Sequence, residues 1–320
     1  VAILAQAVGG CEQHLAFVSM ALLNGFSRQA YPNGDAYEGF FHRGSRHGEG
    51  TYYLADGTHH EGQFRHNVME GSGRHYYPRN EVYEGEWLNS KRHGQGTFTY
   101  EDGTKYDGKW ENDLRHGNGD MYYPDGSHFS GKWLNDLRHG EGALKFADGG
   151  HYIGAWEEDV RHGEGKLKFS NGSVYEGGFL RDIPEGDGSL MDIEEESLYV
   201  GQFKAGLRWG EGTCDYKISG EKFIGQWSEG ARVAGVVFGP DGTVERARYL
   251  NDKLIRRELL TEQEQAKIKA DHSTGPPPAP AETAAPVVAQ GSEGEAAAPA
   301  AEAPAEAAAP EPGPPEAVTA

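Results

Sequence analysis

The chain has 320 residues, a formal net charge of −20 and only two cysteines. So large an excess of carboxylates repels nucleic acid and disfavours an anionic membrane as the main partner, because both carry negative charge. Two cysteines without a CxxC pair make no disulfide framework, so the sequence predicts a cytoplasmic protein in a reducing compartment.

Residues 1–24 are an N-terminal segment of uncertain role and the most apolar part of the chain. They lack a starting methionine and a basic leading region, which disfavours a secretory signal. No run of 18 apolar residues occurs anywhere, so no membrane-spanning helix is predicted. The spacing from Gly25 to YPNG at 31–34 equals that from Gly117 to YPDG at 123–126. A partial repeat is therefore expected before the first complete one.

A repeat of 23 residues, stretching to 24 near its end, fills residues 25–250. Each of nine complete units opens on an aromatic residue or a histidine, followed two positions later by glycine and two further on by a second aromatic residue. The opening residues are Tyr37, His60, Tyr83, Tyr106, Phe129, Tyr152, Tyr175, Tyr199 and Phe223. The second half of each unit keeps the same parity, as in Gly94, Gly96 and Phe98. Alternation with period two predicts two short β-strands per unit.

Asn-Gly and Asp-Gly dipeptides separate the units and favour tight hairpins, because they tolerate positive φ. They stand at 33–34, 56–57, 102–103, 125–126, 148–149 and 171–172. The predicted fold class is all-β: an elongated single-layer antiparallel sheet, with about 18 strands over residues 37–240. One face carries the aromatic residues and glycines, and the glycines leave room for neighbouring rings to lie on the backbone.

Two further segments follow the array. Residues 251–272 are rich in helix formers and predict a terminal helix with Asn251 or Asp252 as N-cap, placed to cover the last strand. Residues 273–320 contain Ala, Pro, Gly and Glu but no basic or aromatic residue. That composition cannot bury a core and predicts a disordered tail.

A histidine recurs in the second half of several units, at positions 47, 93, 116, 139 and 162. Equivalent side chains of successive units are expected roughly 9–10 Å apart, too far to share one zinc ion. We therefore predict packing at a turn or strand edge, with no metal and no cofactor. Carboxylate pairs such as Glu84 and Glu86 recur in several units, whereas an active site needs one special environment. No P-loop is present. The chain is not expected to be an enzyme.

An arginine precedes each of those histidines, at positions 46, 92, 115, 138 and 161. One interpretation is a basic row along one sheet edge that attracts acidic headgroups or acidic protein tails. The favoured interpretation is a set of solvated turns neutralised by Asp113, Asp136 and Asp159, which lie close by in the sequence.

The segment YEGEWLNSKRHGQGTFTYEDGTK, residues 83–105, resembles a MORN repeat, and the resemblance extends over residues 25–250. MORN-repeat proteins without an enzyme domain include radial-spoke head proteins of the axoneme, which are similar in having consecutive repeats followed by an acidic low-complexity tail. The resemblance implies a structural protein–protein scaffold of the cilium or flagellum, with other axonemal proteins as partners.

Two alternatives follow from the same resemblance. The first is a membrane-contact or phosphoinositide-binding adaptor, as MORN arrays in junctophilins and plant lipid kinases have been taken to be; the lack of a membrane anchor weakens it. The second is the regulatory part of an enzyme, as in MORN-bearing lysine methyltransferases. The C-terminal tail leaves no room for a kinase or SET domain, which disfavours it.

Large exposed apolar surface signals partner binding, so the aromatic face is the candidate partner site. Its predicted centre lies in the most regular units and consists of Tyr83, Trp87, Tyr106, Trp110, Trp133, Tyr152 and Trp156. The competing interpretation is that these rings are consumed in packing on the glycines. The oligomeric state is not predicted.

Overall fold

The computed structural model describes residues 23–272. They form twenty-one strands and one α-helix. The strands are β1 Gly25–Ala30, β2 Ala36–His42, β3 Ser45–Tyr53, β4 His59–Arg65, β5 Val68–Tyr76, β6 Val82–Leu88, β7 Lys91–Thr99, β8 Lys105–Glu111, β9 Leu114–Tyr122, β10 His128–Leu134, β11 Leu137–Lys145, β12 His151–Glu157, β13 Val160–Lys168, β14 Val174–Leu180, β15 Ile183–Asp192, β16 Ser197–Lys204, β17 Leu207–Tyr216, β18 Lys222–Ser228, β19 Ala231–Phe238, β20 Val244–Leu250 and β21 Lys253–Leu259; helix α1 is Glu262–Asp271.

Every strand pairs antiparallel with its neighbours in sequence, so the chain meanders as one long open sheet. This confirms the predicted fold class. The predicted span of 37–240 holds β2–β19, which are eighteen strands, and β1, β20 and β21 extend the sheet beyond it. Because the ladder never returns on itself, each repeat contacts mainly the repeats before and after it.

Two kinds of turn alternate along the sheet. The Asp-Gly turns are three-residue loops: the Tyr100 amide donates to the Thr104 carbonyl at 2.9 Å, and Gly103 is left-handed at φ +88°. The turns inside each repeat are two-residue turns with both residues left-handed, as at Asn112 (φ 52°) and Asp113 (φ 73°). These are the turns that match the twist of a β-hairpin best. All two-residue turns lie along one edge of the sheet, called here the tight-turn edge.

Each repeat contains a buried ring laid across a pair of facing glycines. Gly108 and Gly119 face each other in β8 and β9, and a Cβ on Gly108 would lie 2.5 Å from the Gly119 Cα. A Cβ on Gly119 would lie 2.3 Å from the Tyr106 hydroxyl oxygen. The tyrosine ring therefore occupies the space that two side chains would fill, which confirms the predicted role of the glycines.

A β-bulge follows the glycine pair. The register between β8 and β9 shifts between Gly108 and Trp110. Gly117 adopts φ +63° in the bulged strand. The Tyr106 hydroxyl donates a hydrogen bond of 2.9 Å to the Lys109 carbonyl at this point. The buried ring thus supplies a hydrogen bond where the ladder is interrupted.

The terminal helix is shorter than predicted. Asn251 and Asp252, the proposed N-caps, form a left-handed two-residue turn between β20 and β21, and residues 253–259 are a strand. Helix α1 begins at Glu262, where Thr261 and Glu264 form a capping box. The sequence YLND at 249–252 matches WLND at 133–136. These residues therefore form a tight turn of the repeat, although the segment is rich in helix formers. The predictions for residues 1–22 and for the tail at 273–320 lie outside the described residues.

Candidate functional site

The seven aromatic residues predicted to anchor a partner are buried. Tyr83, Tyr106 and Tyr152 are 0% exposed, and the four tryptophans are 3–5% exposed. Side chains with no accessible surface cannot serve as exposed anchors, so this part of the prediction is corrected. The competing interpretation, in which the rings form the core, is the one that the structure shows.

The rings cover one another along the sheet. Tyr106 contacts Trp110 of its own repeat at 5.2 Å between ring centroids and Trp133 of the next repeat at 5.4 Å, both edge to face. The Trp133 indole N–H donates to the carbonyl of Gly119 at 3.0 Å. The same arrangement recurs from repeat to repeat. The buried rings from Tyr83 onward form one continuous cluster, and Tyr37, Phe41 and Phe64 form a second, smaller one. A single-layer sheet obtains its core in this way without a second layer.

The recurring arginines also bind groups of the same chain. Arg115 places its Nε 2.9 Å from Asp136 Oδ1, donates through Nη2 to the Asp136 carbonyl at 2.9 Å, and lies 4.5 Å from the Trp133 ring centroid. Equivalent clamps join Arg92 to Asp113, Arg138 to Asp159 and Arg161 to Asp182. The predicted aspartates are therefore the partners, but each belongs to the following repeat. The clamps tie the tight turns of successive repeats together.

The recurring histidines lie on the opposite face from the rings. Glu111 Oε2 lies 3.5 Å from the Nε2 of His116, and Glu157 Oε2 lies 3.3 Å from the Nδ1 of His162. The His47 ring contacts His66 of the next repeat. Across residues 23–272, no group of histidine, cysteine and acidic side chains has the arrangement of a metal site.

A ridge of exposed aliphatic side chains follows the tight-turn edge. Their positions directly flank the two-residue turns, next to the buried tryptophans but on the other face, since neighbouring strand residues alternate. The leucine and isoleucine members are 37–65% exposed, and the two valines are half-buried. This turn-edge ridge consists of Val68, Leu88, Leu114, Leu134, Leu137, Val160, Leu180, Ile183, Leu207 and Leu250. This ridge was not predicted from the sequence, although the leucine of NDLRHG recurs in two units.

The same outer face holds a shallow depression of about 600 Å³ between β3 and β7. Its floor is glycine backbone and its rim is mostly acidic, with Glu49, Glu61, Glu84 and Glu86 beside a single arginine, Arg74. Such a surface suits contact with polar groups. Within the part of the chain that the structure describes, no helix is long and apolar enough to cross a bilayer.

His60 replaces the buried tyrosine in the second repeat. It is 1% exposed, and neither ring nitrogen has a hydrogen-bond partner. Burial, together with the nearby His75, lowers the pKa of His60 to about 3. In contrast, burial raises the pKa of the tyrosines at equivalent positions, to about 12 for Tyr37 and Tyr199. Both groups are held neutral because the buried site disfavours charge.

We expect acid to destabilise the second repeat through His60. Between its ordinary pKa of 6.5 and its folded pKa of about 3, the unfolded state binds more protons, so stability falls as pH falls through this window. The loss is about 2 kcal/mol at pH 5. His60→Tyr should reduce the loss to the part that comes from His75, whose pKa burial also lowers. A tyrosine hydroxyl at position 60 can reach the Gln63 carbonyl as Tyr106 reaches that of Lys109. Hydrogen exchange of peptides covering residues 59–76 between pH 7.5 and 5 measures the effect.

The His116→Ala variant is the matched control, since it removes a partly exposed histidine and should keep the acid response of residues 59–76. Peptides covering residues 106–122 provide an internal reference in every sample. If exchange in residues 59–76 of the wild-type chain does not change with pH, or changes equally in the His60→Tyr variant, His60 is not the titrating group.

Comparison with curated protein sequences gave no match. Among solved structures, the chain is similar to a mutant of the TCP10 domain of CPAP from Danio rerio, with 12% identity over 72% of this chain and 98% of that chain, and a TM-score of 0.24. The TCP domain of SAS-4 from Drosophila melanogaster, solved with a proline-rich motif of Ana2, gives 11% identity, 82% and 99% coverage and a TM-score of 0.19. Likenesses this weak establish neither fold nor function.

The family model of the MORN repeat, in contrast, matches seven segments, of which the first six follow one another without a gap. They are residues 37–59, 60–82, 83–105, 106–128, 129–151, 152–174 and 199–220, and together they make up half of the chain. Each matched segment begins within the first three residues of the first strand of a repeat. The chain therefore belongs to the MORN repeat family.

Proposed function

We propose that this chain is a non-catalytic structural scaffold of the ciliary or flagellar axoneme, acting as a component of the radial spoke head. Its layout most resembles radial spoke head protein one. The observation that carries the proposal is an unbroken array of repeats followed by an acidic low-complexity segment. MORN repeats form a module for protein interaction or membrane binding, and the proposal takes the first of these two uses, in the cytoplasm and cytoskeleton of the cilium.

Two features favour a protein partner over a membrane. The arginines that a lipid surface would need are held by aspartates and rings of the same chain. The exposed ridge is aliphatic and narrow, with carboxylates such as Glu111 beside it. An anionic bilayer would repel these carboxylates and the overall charge of −20. A membrane-contact or phosphoinositide-binding adaptor is the alternative function.

Localisation of a tagged chain in a ciliated cell, before and after detergent, tests the proposal. We expect the chain to remain on demembranated axonemes and to co-purify with other axonemal proteins, because a scaffold is held by protein contacts. Binding to vesicles with and without phosphoinositide gives the control. Release of the chain with the membrane fraction, together with phosphoinositide-dependent vesicle binding, would reject the scaffold and support the adaptor. A chain that stays outside the cilium would refute both the axonemal location and the spoke assignment.

A further inference from the structure

The last strand of the sheet, β21, has one open edge. It pairs with β20 on one side only, and all of its residues are exposed. Helix α1 packs in the other direction, because Lys269 donates to the Gly242 carbonyl at 2.7 Å and the His272 ring contacts Phe238. Within residues 23–272, no strand therefore lies beside the outer edge of β21. Such an edge is a ready template for pairing with another strand.

The ladder with β20 shows which backbone groups point to the open edge. The Leu260 amide donates to the Val244 carbonyl at 3.2 Å, so residue 260 directs its backbone toward β20. Backbone groups of successive residues point to alternate sides of a strand. The amides and carbonyls of Arg257 and Leu259 are therefore directed to the open edge, where a further strand can bond to them.

The side chains of β21 are self-complementary about Arg257. When two such strands lie antiparallel with Arg257 opposite its twin, Arg256 of one strand is opposite Glu258 of the other. Ile255 is then opposite Leu259. The first pair joins opposite charges on the outer face, and the second joins aliphatic side chains that are 63% and 62% exposed. Opposite charges and apolar side chains are the cross-strand pairs that stabilise a sheet.

The central arginine does not repel its twin, because carboxylates of its own chain neutralise it. The Nη2 of Arg257 lies 2.9 Å from Glu221 Oε1, and its Nε pairs with Glu245. Arg257 faces Ala247 of β20, on the side of the sheet that carries the rings. Arg256 and Glu258 lie on the other side, 3.1 Å apart. The complementary charges are thus separate from the neutralised ones.

From this register we propose that two copies of the chain join through their β21 edges, antiparallel and with a two-fold axis at Arg257. Arg257 and its twin then exchange their main-chain hydrogen bonds, and Leu259 of each copy bonds beside Ile255 of the other. A two-fold interface uses the same patch on both copies and requires that patch to be self-complementary. Strand β1 of another copy fits less well, since its one charged residue is Arg28 and it offers Arg256 no carboxylate.

The interface is small, so the dimer should be reversible. Strand β21 has seven residues, and at about 3.3 Å per residue the paired edge is about 23 Å long. A single strand pair of this length covers less area than a standard protein–protein interface. We therefore expect the two copies to separate on dilution. The proposal is independent of the axonemal assignment.

Charge reversal tests the register. Sedimentation velocity of the full chain up to about 200 μM should show monomers in exchange with dimers, since an interface of this size is weak. Arg256→Glu and Glu258→Arg should each weaken the dimer about fivefold or more, because each places like charges opposite each other on both sides of the axis. The double variant restores both pairs with reversed sign and should return to within about threefold of the wild-type dimer.

Melting curves show that each variant folds, and we expect little change because the two side chains are 67% and 52% exposed. Leu134→Ala, on the turn-edge ridge, is the control and should leave the dimer unchanged. Four outcomes would overturn the proposal: a monomeric wild-type chain, polymers that lengthen with concentration as pairing with β1 would produce, a dimer weakened by Leu134→Ala, and a double variant weaker than both single variants.

Cross-linking tests the same register without reversing a charge. In a Cys11→Ser background, a chain with Arg256→Cys is mixed with a differently tagged chain with Glu258→Cys and oxidised mildly. The two Cα atoms should lie about 4.5 Å apart across the axis, within reach of a disulfide. Two copies of the same variant place theirs roughly 7–8 Å apart. The mixed dimer should therefore dominate. Equal amounts of mixed and like dimers, or no cross-link, would refute a two-fold axis at Arg257.

Discussion

Gly108→Val is expected to prevent the middle of the array from folding. A Cβ at this position would lie 2.5 Å from the Gly119 Cα and 2.6 Å from the Tyr106 hydroxyl oxygen. The first of these atoms is backbone and cannot move away without breaking the ladder between β8 and β9. We expect a loss of about 4 kcal/mol or more in the free energy of unfolding, in the range of the most damaging core substitutions. Urea denaturation followed by circular dichroism measures it.

Two controls separate this collision from other effects. Gly103→Ala changes a glycine at φ +88° with open space around it, so it should cost only the strain of that backbone conformation, about 1 kcal/mol. His116→Ala should leave the unfolding free energy within about 1 kcal/mol of wild type, because the ring is partly exposed. Equal destabilisation by Gly108→Val and His116→Ala would contradict the role assigned to the glycine pair.

Trp133→Ala is expected to cost about 3–5 kcal/mol in unfolding free energy, the usual range for truncating a buried aromatic residue. The side chain is 4% exposed, contacts Tyr106 and Phe129, and donates a hydrogen bond to the Gly119 carbonyl. All of these contacts are lost together, and the loss falls on two repeats. The shift in urea midpoint is the readout.

Leu134→Ala is the matched control, because Leu134 is the next residue but faces outward and is 41% exposed. It should cost less than about 1 kcal/mol in unfolding free energy. If Trp133→Ala instead leaves the unfolding free energy unchanged and removes partner binding, Trp133 is a surface anchor and not a core residue.

The sequence predicted the strands well because their pattern depends on local chemistry. The alternation of Tyr106, Gly108 and Trp110 can be satisfied only by strands that place rings and glycines on one face. The Asp-Gly loops were recognised for the same reason. The two-residue turns were not, since pairs such as Glu158 and Asp159 carry no glycine, and only their place in the repeat brings both into the left-handed region.

The candidate site depended on tertiary contacts that no local pattern contains. Whether a ring such as Trp133 is exposed depends on its neighbours in the adjacent repeats, and these leave only 4% of it exposed. Likewise, Asp113 lies two residues from Arg115 in sequence but pairs with Arg92, because successive tight turns stack on one another. The helix boundary was misplaced for a related reason: Asn251 continues the repeat register beyond the last complete unit.

The arginine clamps imply that the array is not mechanically uniform. Clamps join the third repeat to the seventh without interruption, from Arg92 to Asp182. At two places the arginine is replaced: Met69 faces the turn at Ser90, and Pro184 faces the turn at Gly206, where a backbone hydrogen bond remains but no guanidinium bridges the turns. At a third place, Arg208 pairs with Glu195, so only a backbone hydrogen bond joins it to the turn at Gly230. Under tension along the array, these three seams would part before the clamped block between the third and seventh repeats.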